Sequence, residues 1–402
     1  MPRKKRGGFD PERLGDLQRP TNLVPRILAR DSPAPSPSQG FTEIRVLGVG
    51  GAGSNALNRM INAGLTGVEF VAINTDAQAL EGSKAHRRVL IGARTTNNLG
   101  SGGDPRLGER AAVESSEELA ETVNGADMVF VAAGMGGGTG TGASPAIAEL
   151  SREAGALTVG VVTLPFKFEG QRREAFASEG ARALAERVDA MVIVHNDRLL
   201  EMIDPRTAFS EAFTLADDML HRGVQGITDL ITTTGLVNVD FADVRAVMQD
   251  SGTAMMGVGQ ASGEERALRA VQEAMQSPLL GTSTDDAQGV LLNITGADDV
   301  TLAELNEAAH RIADLVAPDA NIIFGSVIDP RMDDTVRVTL IATGFRAEAD
   351  TVAPRATRRR QTSGGRGASP RRRRPVVREL SFDHAADDDP QIPAFLRRRG
   401  VR

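Results

Sequence analysis

Two glycine-rich segments of this sequence have the residue types and spacing that bind phosphate. GVGGAGSN occupies residues 48–55, and GMGGGTGTGASP occupies residues 134–145. Each follows a short apolar run and leads into a helix-like pattern, which directs backbone N–H groups and the helix dipole at an anion. Thr139 and Thr141 add hydroxyl donors to the second segment. Because so much glycine costs conformational entropy, a binding role is favoured over a tight packing turn.

The first segment alone leaves the type of ligand open. Gly48, Gly50 and Gly53 match the G-x-G-x-x-G dinucleotide fingerprint, so a nicotinamide-dependent oxidoreductase and a plain structural turn both fit it. Neither segment contains the GK[ST] of a Walker loop. Two such segments after neighbouring strands predict one polyphosphate held between them, with N–H dipoles and Mg²⁺ balancing its charge.

Polar residues are also predicted at the ends of other strands of the same sheet. They are Asn74 and Asp76 after the second strand, Glu169 and Arg173 after the fourth, and Asn196 at the end of the fifth. A capping role would equally explain Asp76 at a turn and Glu169 at a helix start. The glycine-rich segment LGSGGDP, residues 99–105, is predicted to close over the terminal phosphate.

Two residues of a long helical pattern could bind a base. Phe213 could stack on the ring, and Asp217 could accept a hydrogen bond from a base N–H, because residues four apart share a helix face. Phe213 also continues an apolar stripe, so a role in the core is the alternative reading.

The segment NVDFADV, residues 238–244, places two carboxylates where a further helix begins. Asp240 could simply cap that helix. Alternatively, Asn238, Asp240 and Asp243 orient and polarise a water that attacks a terminal phosphate. If the long helix runs back along the sheet, this segment lies at the opposite end of the molecule from the nucleotide. Such a site is complete only when molecules stack head to tail, which makes open filaments.

The elements that must position these residues follow from the hydrophobic pattern. Apolar strand-like runs at 41–50, 68–74, 126–134, 156–164 and 189–196 alternate with helix-like segments at 54–64, 144–155 and 173–188. This alternation predicts an α/β fold with a Rossmann-like parallel sheet, covered on both faces, over 41–205. A long central helix is predicted over 206–230, and a smaller α+β domain that carries the candidate catalytic segment over 231–346.

Patterns within the smaller domain predict three helices and three strands. The helices are predicted at 242–252, 264–278 and 302–316, and the strands at 289–296, 320–329 and 335–344.

Composition and charge separate the ends of the chain from its middle. The 402 residues include no Cys and are 41% hydrophobic, with a net charge of −7. Residues 1–40 read as a basic, disordered extension, 347–388 as a basic, disordered linker, and 389–402 as a C-terminal peptide. The middle of the chain is strongly acidic by difference, which argues against a nucleic-acid-binding core. No apolar run is long enough to predict a transmembrane segment.

Taken together, the motifs resemble the tubulin/FtsZ family of GTPases, in particular its bacterial cell-division members. The segments that carry the resemblance are IRVLGVGGAGSNALNRM, INTDAQAL, ADMVFVAAGMGGGTGTGASP, FKFEGQRR, NDRLL, VQGITDLIT, GLVNVDFADVR and AMMGVGQASGE. They cover essentially residues 41–346. The tail QIPAFLRRR, residues 391–399, resembles the peptide by which this family binds membrane-tethering and regulatory partners.

The resemblance implies that GTP and GDP are the ligands and assigns a role to each matching residue. Phosphate contacts are implied for Gly51, Ala52, Gly53, Ser54, Asn55, Gly137, Gly138, Thr139, Gly140 and Thr141. Ribose contacts are implied for Glu169 and Arg173, and guanine contacts for Asn196, Phe213 and Asp217. Asn238, Asp240 and Asp243 match the segment that enters the neighbouring subunit's site for hydrolysis. The implied function is a GTP-dependent homopolymer that forms the cytoplasmic division ring at mid-cell, on the inner face of the membrane.

Two departures from the family pattern lie beside functional positions. His195 and Thr234 stand where the family usually has proline, which would fix the backbone φ angle. A scaffold that binds GTP without turnover is the main alternative function, and the intact Asp240 and Asp243 argue against it.

Overall fold

A ten-stranded sheet organises the described part of the chain. The structure, a computed structural model, describes residues 42–201, 204, 206, 208–233, 235, 237–280, 287–313, 316–317 and 320–345. The strand order is β3-β2-β1-β4-β5-β6-β7-β10-β8-β9, with strands numbered along the chain. The predictions for the two ends of the chain, 1–40 and 347–402, lie outside the described residues.

The first six strands form a parallel sheet; five of them match the predicted strands, and the third, Arg87–Leu90, was not predicted. They are β1 (Ile44–Val49), β2 (Glu69–Asn74), β3 (Arg87–Leu90), β4 (Met128–Gly134), β5 (Leu157–Leu164) and β6 (Ala190–His195). Neighbouring residues of β4 face opposite sides, and both sides are buried: Phe130 joins one apolar cluster, and Val129 and Val131 join the other. Burial on both faces explains why these strands appear in the sequence as continuous apolar runs.

Nine helices surround or follow this part of the sheet within the described residues. They are α1 (Gly50–Asn62), α2 (Ala77–Glu81), α3 (Ala93–Thr96), α4 (Pro105–Glu114), α5 (Ser116–Val123), α6 (Thr139–Glu153), α7 (Gln171–Ala185), α8 (Asn196–Leu199) and α9 (Phe209–Thr232). Both α1 and α6 begin inside the glycine-rich segments, four or five residues before the pattern predicted. A glycine-rich helix start is difficult to recognise in a sequence because glycine has low helix propensity and no apolar side chain.

The central helix α9 has 24 residues and a length of about 36 Å. Its predicted apolar stripe is buried at Ala216, Leu220, Val224 and Ile227, which pack among the strands. The predicted domain boundaries at 205 and 231 stay predictions.

The sheet continues into the second half of the chain without a break. Its elements are α10 (Phe241–Met248), β7 (Gly252–Ser262), α11 (Arg266–Met275), β8 (Gly289–Gly296), α12 (Leu302–Ala313), β9 (Asn321–Ile328) and β10 (Thr335–Thr343). β10 is antiparallel to β7 and β8, and β8 is parallel to β9. β7 also pairs with β6 over three residues, which joins the two halves.

Strand β7 was not predicted from the sequence. Gly257 and Gly259 interrupt its apolar pattern, and a Cβ on either would collide with the backbone of α11. Glycine here weakens the strand signal, but it allows the helix to pack closely on the strand. Within the described ranges, the structure contains no helix that could span a membrane.

Candidate functional site

The two glycine-rich segments meet at the carboxyl edge of the parallel sheet. β1 and β4 are adjacent, so the turns that follow them lie side by side. Gly50 has φ +73°, and a Cβ on it would lie 2.9 Å from the Gly140 nitrogen. A Cβ on Gly140 would lie 2.8 Å from the Gly134 carbonyl oxygen. Glycine is therefore required for this approach, and the predicted juxtaposition of the two segments is present.

The surface between the two segments is open where an anion would lie. A Cβ added to Gly51 or to Gly137 would meet no atom within 4 Å, and Gly51, Ala52 and Asn55 are exposed. Neither α1 nor α6 has a side-chain cap, so the N–H groups of their first turns are available to a ligand.

Gly53 and Ser54 are buried, unlike Gly51, Ala52 and Asn55 beside them. A Cβ on Gly53 would lie 2.5 Å from the Ala132 carbonyl oxygen, so this glycine allows α1 to pack on β4. The Ser54 Oγ is buried and has no hydrogen-bond partner among the described residues. A buried polar atom without a partner is costly, which is consistent with a nearby ligand or water.

The hydroxyl groups of the second segment fix its shape. Thr141 Oγ1 accepts a 2.8 Å hydrogen bond from the Gly136 N–H. Thr139 Oγ1 is 2.7 Å from Thr75 Oγ1 and 3.0 Å from Ser101 Oγ. The segment is therefore tied to the turn after β2 and to the 99–105 segment as well as to itself.

The 99–105 segment is held beside the second glycine segment by its own anchors. The Gly100 N–H donates to the Thr75 carbonyl oxygen at 3.1 Å. A Cβ on Gly138 would lie 2.9 Å from the Ser101 Cβ, so Gly138 permits the close contact. The Glu114 carboxylate caps the preceding helix, α3, by accepting hydrogen bonds from backbone N–H groups of its first turn. A further bond from the Thr95 hydroxyl, together with these backbone bonds, lowers the pKa of Glu114 to about 2.

The turn after β2 uses its polar side chains in local capping. Asn74 Oδ1 accepts from the Thr75 N–H at 2.8 Å. Asp76 Oδ1 accepts from the N–H groups of Gln78 and Ala79 and so caps α2. The capping alternative is thus observed for Asp76, and the role of both residues toward a nucleotide stays a prediction.

Glu169 and Arg173 form an ion pair at the start of α7. Arg173 Nη1 lies 2.6 Å from Glu169 Oε2, and Glu169 Oε1 accepts from the Phe166 N–H at 2.9 Å. A Cβ on Gly136 would lie 2.8 Å from the Arg173 carbonyl oxygen, so the pair borders the second glycine segment. The Glu169 carboxylate therefore caps the short 3-10 helix Lys167–Glu169, whereas α7 has no side-chain cap. The implied ribose contact stays a prediction.

A different set of side chains lies beyond β5 and β6. Asn196 begins α8 directly after β6, and its buried Oδ1 has no partner among the described residues. The Phe213 ring packs edge-on to Phe166, with centroids 5.3 Å apart, and Phe166 stacks on the half-exposed Phe168 at 4.9 Å. These aromatic rings were not singled out in the sequence, apart from Phe213.

Asp217 is a largely buried carboxylate on the same part of α9. Arg59 Nε lies 3.9 Å from its Oδ2, too far for a strong ion pair. Burial raises the pKa of Asp217 to about 6, although the Arg59 charge partly opposes this. Burial also lowers the pKa of His195, aided by the Arg198 charge.

The candidate catalytic segment lies at the opposite, amino edge of the sheet. A Cβ on Gly67, just before β2, would touch Thr232 at the end of α9. Arg245 of α10 donates to the carbonyl oxygens of Asp127, 3.3 Å, and Gly155, 3.5 Å, which lie one and two residues before β4 and β5. From Phe213 to Thr232, α9 rises about 28 Å. One molecule cannot bring the two sets of residues together.

The carboxylates of this segment are exposed and are not used in capping. Asp240 occupies the cap position of α10, but its side chain makes no cap hydrogen bond. Asp243 lies in the first turn and is also exposed. Asn238 Oδ1 accepts from the Gly235 N–H at 2.8 Å, which shapes the turn before Asp240. The capping explanation for Asp240 is therefore wrong.

No cluster of three or more His, Cys, Asp or Glu side chains that could hold a metal ion occurs in the part of the chain that the structure describes. Mg²⁺ usually binds through substrate phosphates and one or two carboxylates and keeps several waters. The glycine segments, which present N–H groups and hydroxyls, fit a metal carried in on phosphate oxygens better than a metal held by protein ligands alone.

The fold and the site define a class, the α/β nucleotide-binding proteins. The two glycine-rich segments, 48–55 and 134–145, together form what we call the glycine cradle, and neither contains a Walker lysine. Two family models match this chain. The Tubulin/FtsZ family GTPase domain matches residues 43–204, and the FtsZ family C-terminal domain matches residues 252–346.

Solved structures agree with the family models. An "FtsZ dimer, empty" from M. jannaschii is 46% identical, with a TM-score of 0.74, and the match covers 76% of this chain and 89% of that chain. CetZ2 from Haloferax volcanii, a "GTPgS bound protofilament", is 22% identical, with a TM-score of 0.64 over 76% and 94% of the two chains, and supports the fold alone. The chain belongs to the Tubulin/FtsZ family and is a guanine-nucleotide-binding GTPase. The oxidoreductase alternative is wrong.

Proposed function

We propose that this GTPase assembles head to tail into filaments and that each hydrolytic site is completed by the next subunit. The observation that carries the proposal is the separation of a glycine cradle at one edge of the sheet from exposed, uncapped carboxylates at the other. A contact between opposite edges repeats without closing, so it generates an open filament. The M. jannaschii relative, which is described as a dimer, supports self-association.

The order of the strands suggests how GTP lies along the carboxyl edge. Asn196, Phe213 and Asp217 cluster beside β6, where an unpartnered amide oxygen and a buried carboxylate could accept hydrogen bonds from guanine. The N–H groups of α1 and α6, beside β1 and β4, would then bind the phosphates. Glu169 and Arg173, after β5, lie between these positions and would contact the ribose.

In the completed site, Asp240 and Asp243 of one subunit would orient the water that attacks the terminal phosphorus of GTP held by its neighbour. Asn238 would hold the turn that presents them. An exposed carboxylate can accept a proton from water as the new P–O bond forms, and GDP is the leaving group. Mg²⁺, bound to phosphate oxygens, would neutralise the developing charge.

The dependence of phosphate release on protein concentration tests this proposal. A site shared between subunits predicts little activity below a threshold concentration and a steep rise above it. A self-contained enzyme gives a line through the origin, and that result would contradict the proposal.

Mixing two inactive variants makes the test sharper. Asp217→Ala should weaken guanine binding, while Asp240→Ala should bind GTP and fail to hydrolyse it. The Asp217→Ala subunit keeps Asp240 and Asp243, and the Asp240→Ala subunit keeps its nucleotide-binding residues. Where the two meet in a filament, one complete site forms, so the mixture should recover part of the activity. Asp298→Ala also removes an exposed carboxylate, so it is the matched control for Asp240→Ala. A mixture no more active than its components would argue against a shared site.

We further infer that the filaments form the division ring in bacterial cytokinesis, in the cytoplasm against the inner face of the membrane. The support is family membership together with the tail at 391–399, whose apolar and basic residues suit binding to a groove on a partner. Deleting 391–402 should spare GTP hydrolysis and abolish recruitment of membrane-tethering and regulatory partners. Recruitment that survives the deletion would remove the tail from this role.

A further inference from the structure

Arg245 follows directly after the candidate catalytic segment NVDFADV, and the proposed function gives it no role. It lies in the last turn of α10, the helix that begins just after Asp240 and contains Asp243. The Arg245 side chain is partly buried, whereas both carboxylates are exposed. An arginine in this place could contact a phosphate or could hold the segment in position, and its contacts distinguish the two roles.

The Arg245 guanidinium is directed at the amino edge of the parallel sheet in its own molecule. Its Nη2 donates to the carbonyl oxygens of Asp127, at 3.3 Å, and Gly155, at 3.5 Å. Because these residues come just before the neighbouring strands β4 and β5, one side chain contacts the starts of both strands. The guanidinium is therefore engaged within its own chain, which favours a role in holding the segment over contact with a neighbour's phosphate.

The acceptor at Asp127 is itself fixed by several hydrogen bonds. The Asp127 N–H donates to the Glu43 carbonyl oxygen at 2.9 Å, and Asp127 Oδ2 accepts from the Glu43 N–H at 2.9 Å. The Asp127 carbonyl oxygen also accepts from the Leu157 N–H of β5 at 2.9 Å. Arg245 thus binds a rigid part of the sheet, and a rigid support is what a precise functional geometry requires.

An aromatic ring at the start of α10 contacts the same guanidinium. Arg245 Cζ lies 5.1 Å from the centroid of the Phe241 ring, within the range of a cation–π contact. The two residues are four apart and so share a helix face. Phe241 also packs against the apolar cluster that contains Val244. Because Phe241 directly follows Asp240, fixing the ring and the arginine fixes the backbone that carries the carboxylates.

The other end of the segment is attached to the second half of the chain. Val237 pairs with Ser326 of β9, whose N–H donates to the Val237 carbonyl oxygen at 3.1 Å. Val239 is buried, and a Cβ on Gly325 of β9 would lie 3.1 Å from its Cγ2. The segment is therefore held between two supports, and Arg245 ties it to the strands that carry the glycine cradle at their opposite edge.

We propose that Arg245 is a positioning residue for GTP hydrolysis, because it ties α10 to the sheet edge and so sets where Asp240 and Asp243 lie. This inference rests on the proposed function, in which these carboxylates complete the site of the neighbouring subunit. Without the tie, α10 can shift on the sheet, and the carboxylates move away from the neighbour's terminal phosphate. A displacement of about 1 Å costs on the order of 10²-fold in rate.

The first test measures the rate of GTP hydrolysis and the affinity for GTP on the full chain. Arg245→Met keeps an unbranched stem and loses every N–H donor. It should lower kcat about 10- to 100-fold above the threshold concentration and leave KM and GTP affinity unchanged. Arg187→Met is the matched control, because Arg187 is also partly buried and donates to a backbone carbonyl, that of Ala183, at 2.8 Å on α7. The control should hydrolyse GTP normally.

A second test separates positioning from folding. If Arg245 acts through the carboxylates, adding Arg245→Met to Asp240→Ala should lower the rate no further than Asp240→Ala alone. In mixtures, Arg245→Met should regain activity with Asp217→Ala, whose amino edge is intact. It should regain none with Asp240→Ala, because both variants then supply a defective amino edge.

Each outcome supports or overturns the proposal. Normal hydrolysis by Arg245→Met would overturn it while the shared site stood. Parallel losses of hydrolysis, GTP affinity and unfolding free energy would assign Arg245 to folding alone and would overturn it as well, as would recovery in the mixture with Asp240→Ala. Normal hydrolysis by Asp240→Ala would overturn the proposed function itself, and the role of Arg245 with it.

Discussion

The two edges of the parallel sheet use their polar residues in opposite ways. At the carboxyl edge, Thr75, Ser101 and Thr139 are buried and bonded to one another, and glycines bring the segments into contact. At the amino edge, Asp240 and Asp243 are exposed, and Asp240 caps nothing although it holds the cap position. In the proposed function, the binding half of the site is therefore built within each molecule, whereas the hydrolytic half would be completed by a neighbouring molecule.

This difference predicts that substitutions at the two edges affect different quantities. Changes at the carboxyl edge should alter folding and nucleotide affinity. Changes at the amino edge should alter the rate of hydrolysis and leave folding stability and nucleotide affinity almost unchanged.

The largest effect is expected for Asp240→Ala at the amino edge. Loss of a group that orients or deprotonates water should lower the rate of GTP hydrolysis on the order of 10²- to 10⁴-fold. The affinity for GTP should stay within about twofold, because the residue is far from the cradle of its own chain. Phosphate release and calorimetry measure the two quantities. A normal rate of hydrolysis in this variant would contradict the assignment of the hydrolytic residues to the amino edge.

A smaller effect, on folding, is expected for Gly138→Ala at the carboxyl edge. The added methyl would lie 2.9 Å from Ser101 Cβ and 3.0 Å from the Asp104 nitrogen. Crowding of this kind in a packed region costs about 1–3 kcal/mol of unfolding free energy. Gly137→Ala is the matched control, because its methyl meets no atom within 4 Å and should cost less than about 0.5 kcal/mol. Denaturant unfolding without nucleotide compares them, and equal stabilities would show that the cradle is not tightly packed.

The smallest expected effect concerns pH and Asp217. Its pKa of about 6 means that the carboxylate is ionised above pH 6 and protonated below it. Only the ionised form accepts hydrogen bonds from guanine N–H groups with both oxygens, so GTP affinity should fall on acidification. From pH 7.5 to 5.5 the ionised fraction drops about fourfold, and affinity should follow. Asp217→Asn should bind weakly at both values, and a full pH dependence in that variant would assign the titration elsewhere.

Much of the fold could be predicted because the parallel strands are buried on both sides. Runs such as MVFVAAG in β4 have few alternatives to a buried strand. β7 was missed because Gly257 and Gly259 interrupt its apolar pattern. These glycines are required by the close packing of α11, which is a tertiary contact. The starts of α1 and α6 were placed late because their first turns are rich in glycine, which has low helix propensity.

Local sequence was enough to identify the groups that could take part in chemistry: two glycine-rich segments without a Walker lysine, a family-specific set of motifs, and two carboxylates in NVDFADV. The tertiary structure alone decided which of these groups meet. It brought Ser101 onto Thr139, separated by 38 positions, and Thr75 onto Thr139 across 64. It also placed Asp240 at the edge opposite the cradle. A hydroxyl or a carboxylate has no function until the packing of strands and helices sets its partners, and local sequence does not encode those distances.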